Sequence, residues 1–307
     1  MKIVLLDAIT FGDTDLRCFD TFGDVTVYDK TTPDETLLRI EGTDVIVTNK
    51  VVITKEMMQE SSSLKLICIA ATGMNNVDLD AARELGIEVK NVAGYSTDSV
   101  VQHTFSMLFY LMGHSRDYDE VVKSGEYSRS GVFTDVSHPF FEIKGKTWGI
   151  IGLGAIGQEV ARVARAFGAN VIYYSTSGRN SSKDYEQVVL HRLLESSDII
   201  SIHAPLNERT KNLLNYDKLQ HLKERAVILN LGRGGIIDEK AVAQIVDERE
   251  LYFGLDVFEK EPLPEDSPLL AVKNPERLYL TPHIAWTSVE AREKLIASVC
   301  KNIQESM

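Results

Sequence analysis

A glycine-rich hexapeptide, Gly152-Leu153-Gly154-Ala155-Ile156-Gly157, constrains this chain more than any other segment. Before it runs Thr147-Trp148-Gly149-Ile150-Ile151, which reads as a β-strand. After it comes Gln158–Phe167, with Val160, Val163, Ala164 and Phe167 on one helical face. A strand, a glycine turn and a helix in this order are what a bound dinucleotide demands. Gly152 would make the tight turn, Gly154 would let the backbone approach a pyrophosphate, and Gly157 would let helix and sheet pack closely. N–H groups at the helix start would then face the phosphates. The bland alternative is a glycine-rich turn with no ligand.

Around this motif, short apolar runs alternate with helical stretches, the pattern of βαβ units and parallel sheets. Ile3–Leu6, Val25–Tyr28, Val45–Thr48 and Leu66–Ala70 read as strands of a first series, with helices at Glu35–Ile40 and Lys55–Glu60. A second series holds Trp148–Ile151, Val171–Tyr174, Ile199–His203, Val227–Asn230, Phe253–Val257 and Leu278–Thr281. Its helices include Gln158–Phe167 and Glu239–Asp247, the latter capped by Asp238. Between the two series, Val100–Met112 reads as a long helix buried in a core or a subunit interface. Gln102, His103, Thr104 and Ser106 make it too polar, and it is too short, to span a bilayer.

With 307 residues the chain is long enough for two medium domains, and a formal charge of −12 makes nucleic acid and anionic membranes poor partners. Only Ile3–Leu6 separates Lys2 from Asp7, too short for a signal peptide. The three cysteines, Cys18, Cys68 and Cys300, form neither a disulfide framework nor a CxxC pair, which points to a reducing cytoplasm. The seven histidines show no HxH, HxxH or HExxH spacing, so no metal is expected.

Past the second strand of the later series, Ser175 stands where an acid usually accepts from the ribose 2′-hydroxyl of NAD. Arg179 and Lys183 lie nearby, placed to meet a 2′-phosphate or simply to be solvated. NAD and NADP therefore both remain open. Three further segments follow predicted strands: Asn230–Asp238 with Arg233, Leu255–Pro262 with Asp256 and Glu261, and Thr281–Trp286 with His283. Each falls at the carboxyl edge of a parallel sheet, where doubly wound folds bind ligands. Reducing a 2-keto acid needs a forked cation, a proton donor working near neutral pH and an acid to orient it. Arg233, His283 and Glu261 supply those types. Singly, each has a dull reading as a cap, a loop residue or a satisfied histidine.

Taken together and in this order, the segments resemble the D-isomer-specific 2-hydroxyacid dehydrogenases over nearly the whole chain. That resemblance implies an α/β protein, with a Rossmann-type doubly wound dinucleotide-binding domain at 99–284. A flavodoxin-like α/β substrate domain would comprise 1–98 and 285–307, with a cleft between the two. Ser288–Met307 would return as the last helix of the substrate domain, and no regulatory domain is expected beyond it. Arg233, Glu261 and His283 would be catalytic. Ala155 and Ile156 would meet the pyrophosphate, Asp256 would face the nicotinamide end, and Leu231, Gly232, Arg233 and His283 would complete the cofactor contacts with Gly152, Gly154, Gly157 and Ser175. The stretch Ala71–Asp78 resembles the family's substrate loop, which assigns Thr72 and Gly73 to the substrate carboxylate, beside Arg233 and Trp286. The helix near 99–114 would form a homodimer.

Two departures refine the reading. Val101-Gln102-His103 stands where the family usually has Ala-Glu-His, and Ser175 replaces the usual acid. With Tyr174–Arg179 and His283-Ile284-Ala285-Trp286, these resemble the glycerate dehydrogenase (hydroxypyruvate reductase) branch, which implies hydroxypyruvate/D-glycerate as substrate and glyoxylate as a poorer one. Trp286 would wall a small pocket or serve as ordinary core. The alternatives are another small 2-keto acid or, from another class, an NAD(H)-sensing binding protein of corepressor type.

Overall fold

Runs of Val, Ile and Leu only four residues long cannot bury themselves as helices, and they form the inner strands of two parallel sheets. Their side chains are buried on both faces, as parallel sheets covered on two sides require. The computed structural model describes residues 1–307, which divide into two units, Met1–Ser96 with Thr287–Met307, and Thr97–Trp286. These breaks fall two residues from 98/99 and 284/285.

The first unit contains β1 (Lys2–Leu5), β2 (Asp24–Val27), α1 (Pro33–Ile40), β3 (Val45–Thr48), α2 (Lys55–Glu60), β4 (Leu66–Ile69), α3 (Leu79–Glu84) and β5 (Glu88–Lys90). Its strand order is β2-β1-β3-β4-β5, all parallel, which is the flavodoxin-like order. Helix starts follow local chemistry. Thr32 and Glu35 close a capping box around Pro33 at α1, and Asp78 accepts the Ala81 N–H at α3. At the end of β1, the buried Asp7 carboxylate accepts the N–H groups of Asn49 and Lys50 at 2.9 and 2.7 Å, fixing the turn after β3.

The second unit begins with α4 (Thr97–Met112), α5 (Ser115–Lys123) and α6 (Glu126–Ser130). There follow β6 (Thr147–Ile151), α7 (Ala155–Ala166), β7 (Asn170–Tyr174), β8 (Glu186–Gln187), α8 (Leu190–Ser196), β9 (Ile199–Ile202), α9 (Tyr216–Leu219), β10 (Val227–Asn230), α10 (Glu239–Glu248), β11 (Tyr252–Leu255) and β12 (Leu278–Leu280). The seven strands are ordered β12-β11-β10-β9-β6-β7-β8, all parallel, so the chain reverses direction across the sheet between β6 and β9. That reversal is a topological switch point of a Rossmann-type sheet. Trp148 is fully buried there, its indole N–H donating to Ser201 Oγ at 2.9 Å and its ring 5.0 Å from Phe105 of α4. The last helix, α11 (Val289–Glu305), belongs to the first unit, capped by Ser288, packed on β4, and burying Leu295, Ile296, Val299 and Ile303.

Two strands escaped the sequence reading. β5 and β8 are sheet-end strands made of Glu88-Val89-Lys90 and Glu186-Gln187, which carry no apolar run. α7 also starts at Ala155 rather than Gln158, because the glycine turn itself enters the helix. The cysteine reading needs a correction. Cys18, on a short 3₁₀ turn, and Cys300, on α11, are 282 residues apart in sequence yet disulfide-bonded, with Cα atoms 6.4 Å apart. Counting cysteines along a chain cannot reveal a pairing made by the return of the last helix. The bond removes the cysteine argument for a reducing compartment. No helix is long and apolar enough to cross a membrane.

Burial pushes the Cys68 thiol on β4 up to about 12. Thiol titration of the native, unreduced protein should therefore find no fast-reacting group, and denaturation should expose Cys68 alone. A rapidly modified native thiol would show that the 18–300 bond is open or that β4 is not covered.

Candidate active site

At the end of β6 the backbone of Gly152 turns to φ +93°, and α7 opens three residues later. A Cβ on Gly152 would lie 2.9 Å from the His203 carbonyl oxygen, and one on Gly157 would lie 2.2 Å from that of Gly152. Turn, helix and the end of β9 thus pack backbone against backbone. Gly154 differs, since a Cβ there would meet nothing within 4 Å. Its backbone borders open space at the start of α7, whose first N–H groups, those of Ala155, Ile156 and Gly157 among them, have no acceptors inside the helix.

Two side chains at neighbouring strand ends bring further polar atoms to this edge. Ser175 Oγ, beyond β7, and both ring nitrogens of His203, beyond β9, are buried and meet no hydrogen-bond partner. Buried polar atoms are costly when unsatisfied, and hydroxyls and phosphate oxygens of a dinucleotide are partners of the required kind. The open cradle at Gly154 and these orphaned atoms fit a nicotinamide dinucleotide. Burial pushes His203 down to about 3, which leaves its ring neutral at pH 7. Sequence reading placed His203 only at a strand end. The available signal was its position opposite the glycine turn across the switch point.

The loops after β10, β11 and β12 carry the remaining groups. Asn230 ends β10 and ties the next turn at both ends, its Oδ1 accepting the Gly232 N–H at 3.1 Å and its Nδ2 donating to the Arg233 carbonyl at 3.0 Å. Leu231 is buried, and Gly232 backs onto the Ala204 carbonyl, 2.8 Å from where a Cβ would sit. Arg233 is half-buried, with one guanidinium nitrogen donating to the Gly232 carbonyl at 2.8 Å. The next residue, Gly234, abuts the Phe258 carbonyl so closely that a Cβ would come within 1.8 Å, which seats the Arg233 turn against the loop of Glu261. Glu261 in turn uses both oxygens. Oε1 accepts the Phe258 N–H at 3.0 Å, and Oε2 lies 2.8 Å from His283 Nδ1. A carboxylate accepts only, so Nδ1 carries the proton and Nε2 is the nitrogen left for chemistry.

His283 itself sits at φ +55°, a backbone region that non-glycine residues rarely occupy. Asp256, 0% exposed just past β11, holds the turn around it by accepting the Thr281 hydroxyl (2.7 Å) and the N–H groups of Ile284 (2.8 Å) and Ala285 (2.9 Å). Both Asp256 oxygens are thus engaged with protein. Trp286 follows, half-buried. In the first unit, Thr72 is exposed and its hydroxyl donates to the Val92 carbonyl at 3.1 Å, while Gly73 beside it is half-buried. Folding also gathers two side-chain groups, each joining a pair three or four residues apart to a histidine distant in sequence, His114 and Asp117 with His138, and His191 and Glu195 with His221. The His114 and His138 rings stack at 5.0 Å, and neither group contains a residue of the site above.

An α/β chain with a dinucleotide turn and an Arg, Glu and His at the same sheet edge is an oxidoreductase of the hydride-transfer class. Comparison with known proteins makes this specific. The profile of the D-isomer specific 2-hydroxyacid dehydrogenase NAD binding domain matches residues 105–285. A Haemophilus influenzae protein provisionally named a 2-hydroxyacid dehydrogenase is 39% identical, over 99% of this chain and 98% of its own. The hydroxypyruvate reductase of Blautia hydrogenotrophica is 33% identical, over 99% and 96%. Among solved structures, an acyclic imino acid reductase in complex with NADPH and D-Arg superposes with a TM-score of 0.84 at 31% identity, covering 99% of this chain and 96% of that one. The chain belongs to the D-isomer-specific 2-hydroxyacid dehydrogenase family and uses a nicotinamide dinucleotide.

Gly154→Ala should leave the melting temperature unchanged and weaken dinucleotide binding, because its methyl group enters only the open cradle. Gly157→Ala should destabilise the fold, because its methyl group meets backbone at 2.2 Å. Equal losses of stability in the two would refute this division. The pH dependence of stability has a definite sign. A histidine depressed from about 6.5 to about 3 binds its proton more readily when unfolded. The apo protein should therefore lose stability as pH falls through about 6.5 toward about 3, and His203→Gln should flatten that slope in denaturant titrations.

Proposed function

We propose that this enzyme reduces a small 2-keto acid to the D-2-hydroxy acid, with hydroxypyruvate to D-glycerate as the principal reaction and glyoxylate as a poorer substrate. The observation that carries this reading is the His283–Glu261 pair at 2.8 Å, on loops seated against the Arg233 turn. The hydroxypyruvate reductase of Blautia hydrogenotrophica, matched over nearly the full chain, supports the choice of substrate.

The reduced nicotinamide supplies the hydride to the carbonyl carbon. Arg233 binds the substrate carboxylate and carbonyl oxygens, orienting the carbon and polarising the bond. As negative charge develops on the carbonyl oxygen, His283 donates a proton from Nε2, completing the hydroxyl. Glu261 keeps the other proton on Nδ1. Thr72 and Gly73 belong to the loop assigned to the substrate carboxylate, and Trp286 limits the size of the accepted side chain. In the oxidative direction His283 takes the proton back.

Cofactor choice rests on Ser175. With no acid at the end of β7, nothing there repels a 2′-phosphate, and exposed Arg179 lies four residues on, so we propose that NADPH is accepted beside NADH. We also propose a homodimer through α4. Phe109 and Phe167 remain 39% and 46% exposed with ring centroids 5.6 Å apart, beside Phe105, and form an apolar surface suited to a second copy. Phe109→Glu should shift sedimentation toward the monomer. A cytoplasmic setting belongs to the same reading, through its small soluble substrates.

Following reduced-nicotinamide absorbance with hydroxypyruvate, glyoxylate and pyruvate, NADH against NADPH, tests the proposal directly. Hydroxypyruvate should give the highest kcat/KM, and a preference for pyruvate would reassign the substrate. Complete inertness with retained dinucleotide binding would favour the sensor. His283→Ala should cost about 10²–10⁴-fold in turnover while leaving dinucleotide affinity nearly intact. Ser175→Asp should move the preference toward NADH.

A further inference from the structure

The turn that presents His283 is gripped from a second side, by α4. Ser99 and His103 stand four residues apart and so share one face of that helix. Ser99 Oγ donates to the Ala285 carbonyl at 2.6 Å, and His103 Nε2 lies 3.2 Å from Thr281 Oγ1. The two contacts bracket the segment 281–285, with His283 at its centre. Thr281 donates its only hydroxyl proton to Asp256 Oδ1 at 2.7 Å, leaving lone pairs toward His103. His103 Nε2 must therefore be the donor, and a chain of hydrogen bonds runs from His103 through the Thr281 hydroxyl to Asp256. Asp256 also accepts the Ile284 and Ala285 N–H groups, which ties the chain to the backbone of the turn. Burial keeps His103 below its ordinary range, which holds the ring neutral with a single N–H to place.

We propose that His103 is a positioning residue for the acid–base histidine, setting through Thr281 and Asp256 the left-handed turn that aims His283. His103 touches no reacting atom, and its hydrogen bond acts on the backbone of 281–285. Such a bond is worth little to the fold in isolation, yet a small displacement of a proton donor costs turnover steeply. The loss from removing it should therefore fall on kcat.

The test compares three side chains at position 103. His103→Gln places an amide N–H where Nε2 stood, whereas His103→Asn keeps the polarity but stops short, and His103→Leu removes the donor. The Asn and Leu variants should lose about tenfold or more in kcat, with dinucleotide Kd and substrate KM within about threefold of wild type, and Gln should recover most of the loss. His103→Asn combined with Thr281→Val should be no worse than the poorer single variant, because both break one chain. Equal loss in the Gln and Asn variants, additive losses in the double variant, or a defect confined to KM would overturn the proposal. It rests on the family's reaction, and wild-type turnover in the same assay separates its failure from that of the substrate reading. A readout without substrate serves if the wild type is inert. In histidine-labelled protein, the Glu261-protected Nδ1–H resonance of His283 should persist in the Gln variant and broaden in the Asn variant, and an unaltered resonance in both would refute the link.

Discussion

Every strand in both sheets runs parallel to its neighbours, and that single constraint decides where chemistry can sit. Parallel strands all deliver their carboxyl ends to one edge, so the loops after β6, β7, β9, β10, β11 and β12 emerge side by side. At the switch between β6 and β9 the two directions of winding part, and the glycine turn faces the end of β9 across the opening. Close packing of Gly152 on the His203 carbonyl shows how little room the backbone has there. Larger residues would hold the strand ends apart and close the space in front of α7.

Two carboxylates divide the work of placing His283. Asp256 is wholly buried, and a buried charge is tolerable only when hydrogen bonds replace the lost water, which the Thr281, Ile284 and Ala285 donors do. Its energy is spent on backbone shape, holding His283 at a positive φ. Glu261, with a side chain 32% exposed, acts instead on the imidazole ring and fixes its tautomer. A substitution at Asp256 would displace the ring, whereas one at Glu261 would leave the ring in place with the wrong proton.

Much of this was legible in order along the chain. Glycine spacing, strand runs and capping residues are local signals, and Gly152–Gly157, Asp238 and the apolar strands obeyed them. Arg233, Glu261 and His283 were legible as types at strand ends, because a parallel sheet turns sequence order into spatial adjacency. What escaped depends on partners far away in sequence. The Cys18–Cys300 bond needs α11 to return to the first unit, the Asp256 clamp needs β12 beside β11, and the unpartnered His203 ring becomes notable only once its surroundings are known. β5 and β8 escaped for the opposite reason, since edge strands need no buried run.

Helix α4 joins two of these themes through geometry. At about 100° per residue, Ser99 and His103 project within roughly 40° of each other, whereas Phe105 and Phe109 lie roughly 80–160° away around the axis. One face of the helix thus grips the turn carrying His283, and a different face carries Phe105 and the part-exposed Phe109. A packed helix moves as a rigid rod, because its interior contacts resist local deformation. Rotation of α4 about its axis would carry Ser99 and His103 along the 281–285 backbone while shifting Phe105 and Phe109. Trp148 resists that rotation by packing against Phe105 from the β6 side, anchored by its own bond to Ser201. The fully buried indole at the centre of the sheet thus braces the helix that holds the 281–285 turn.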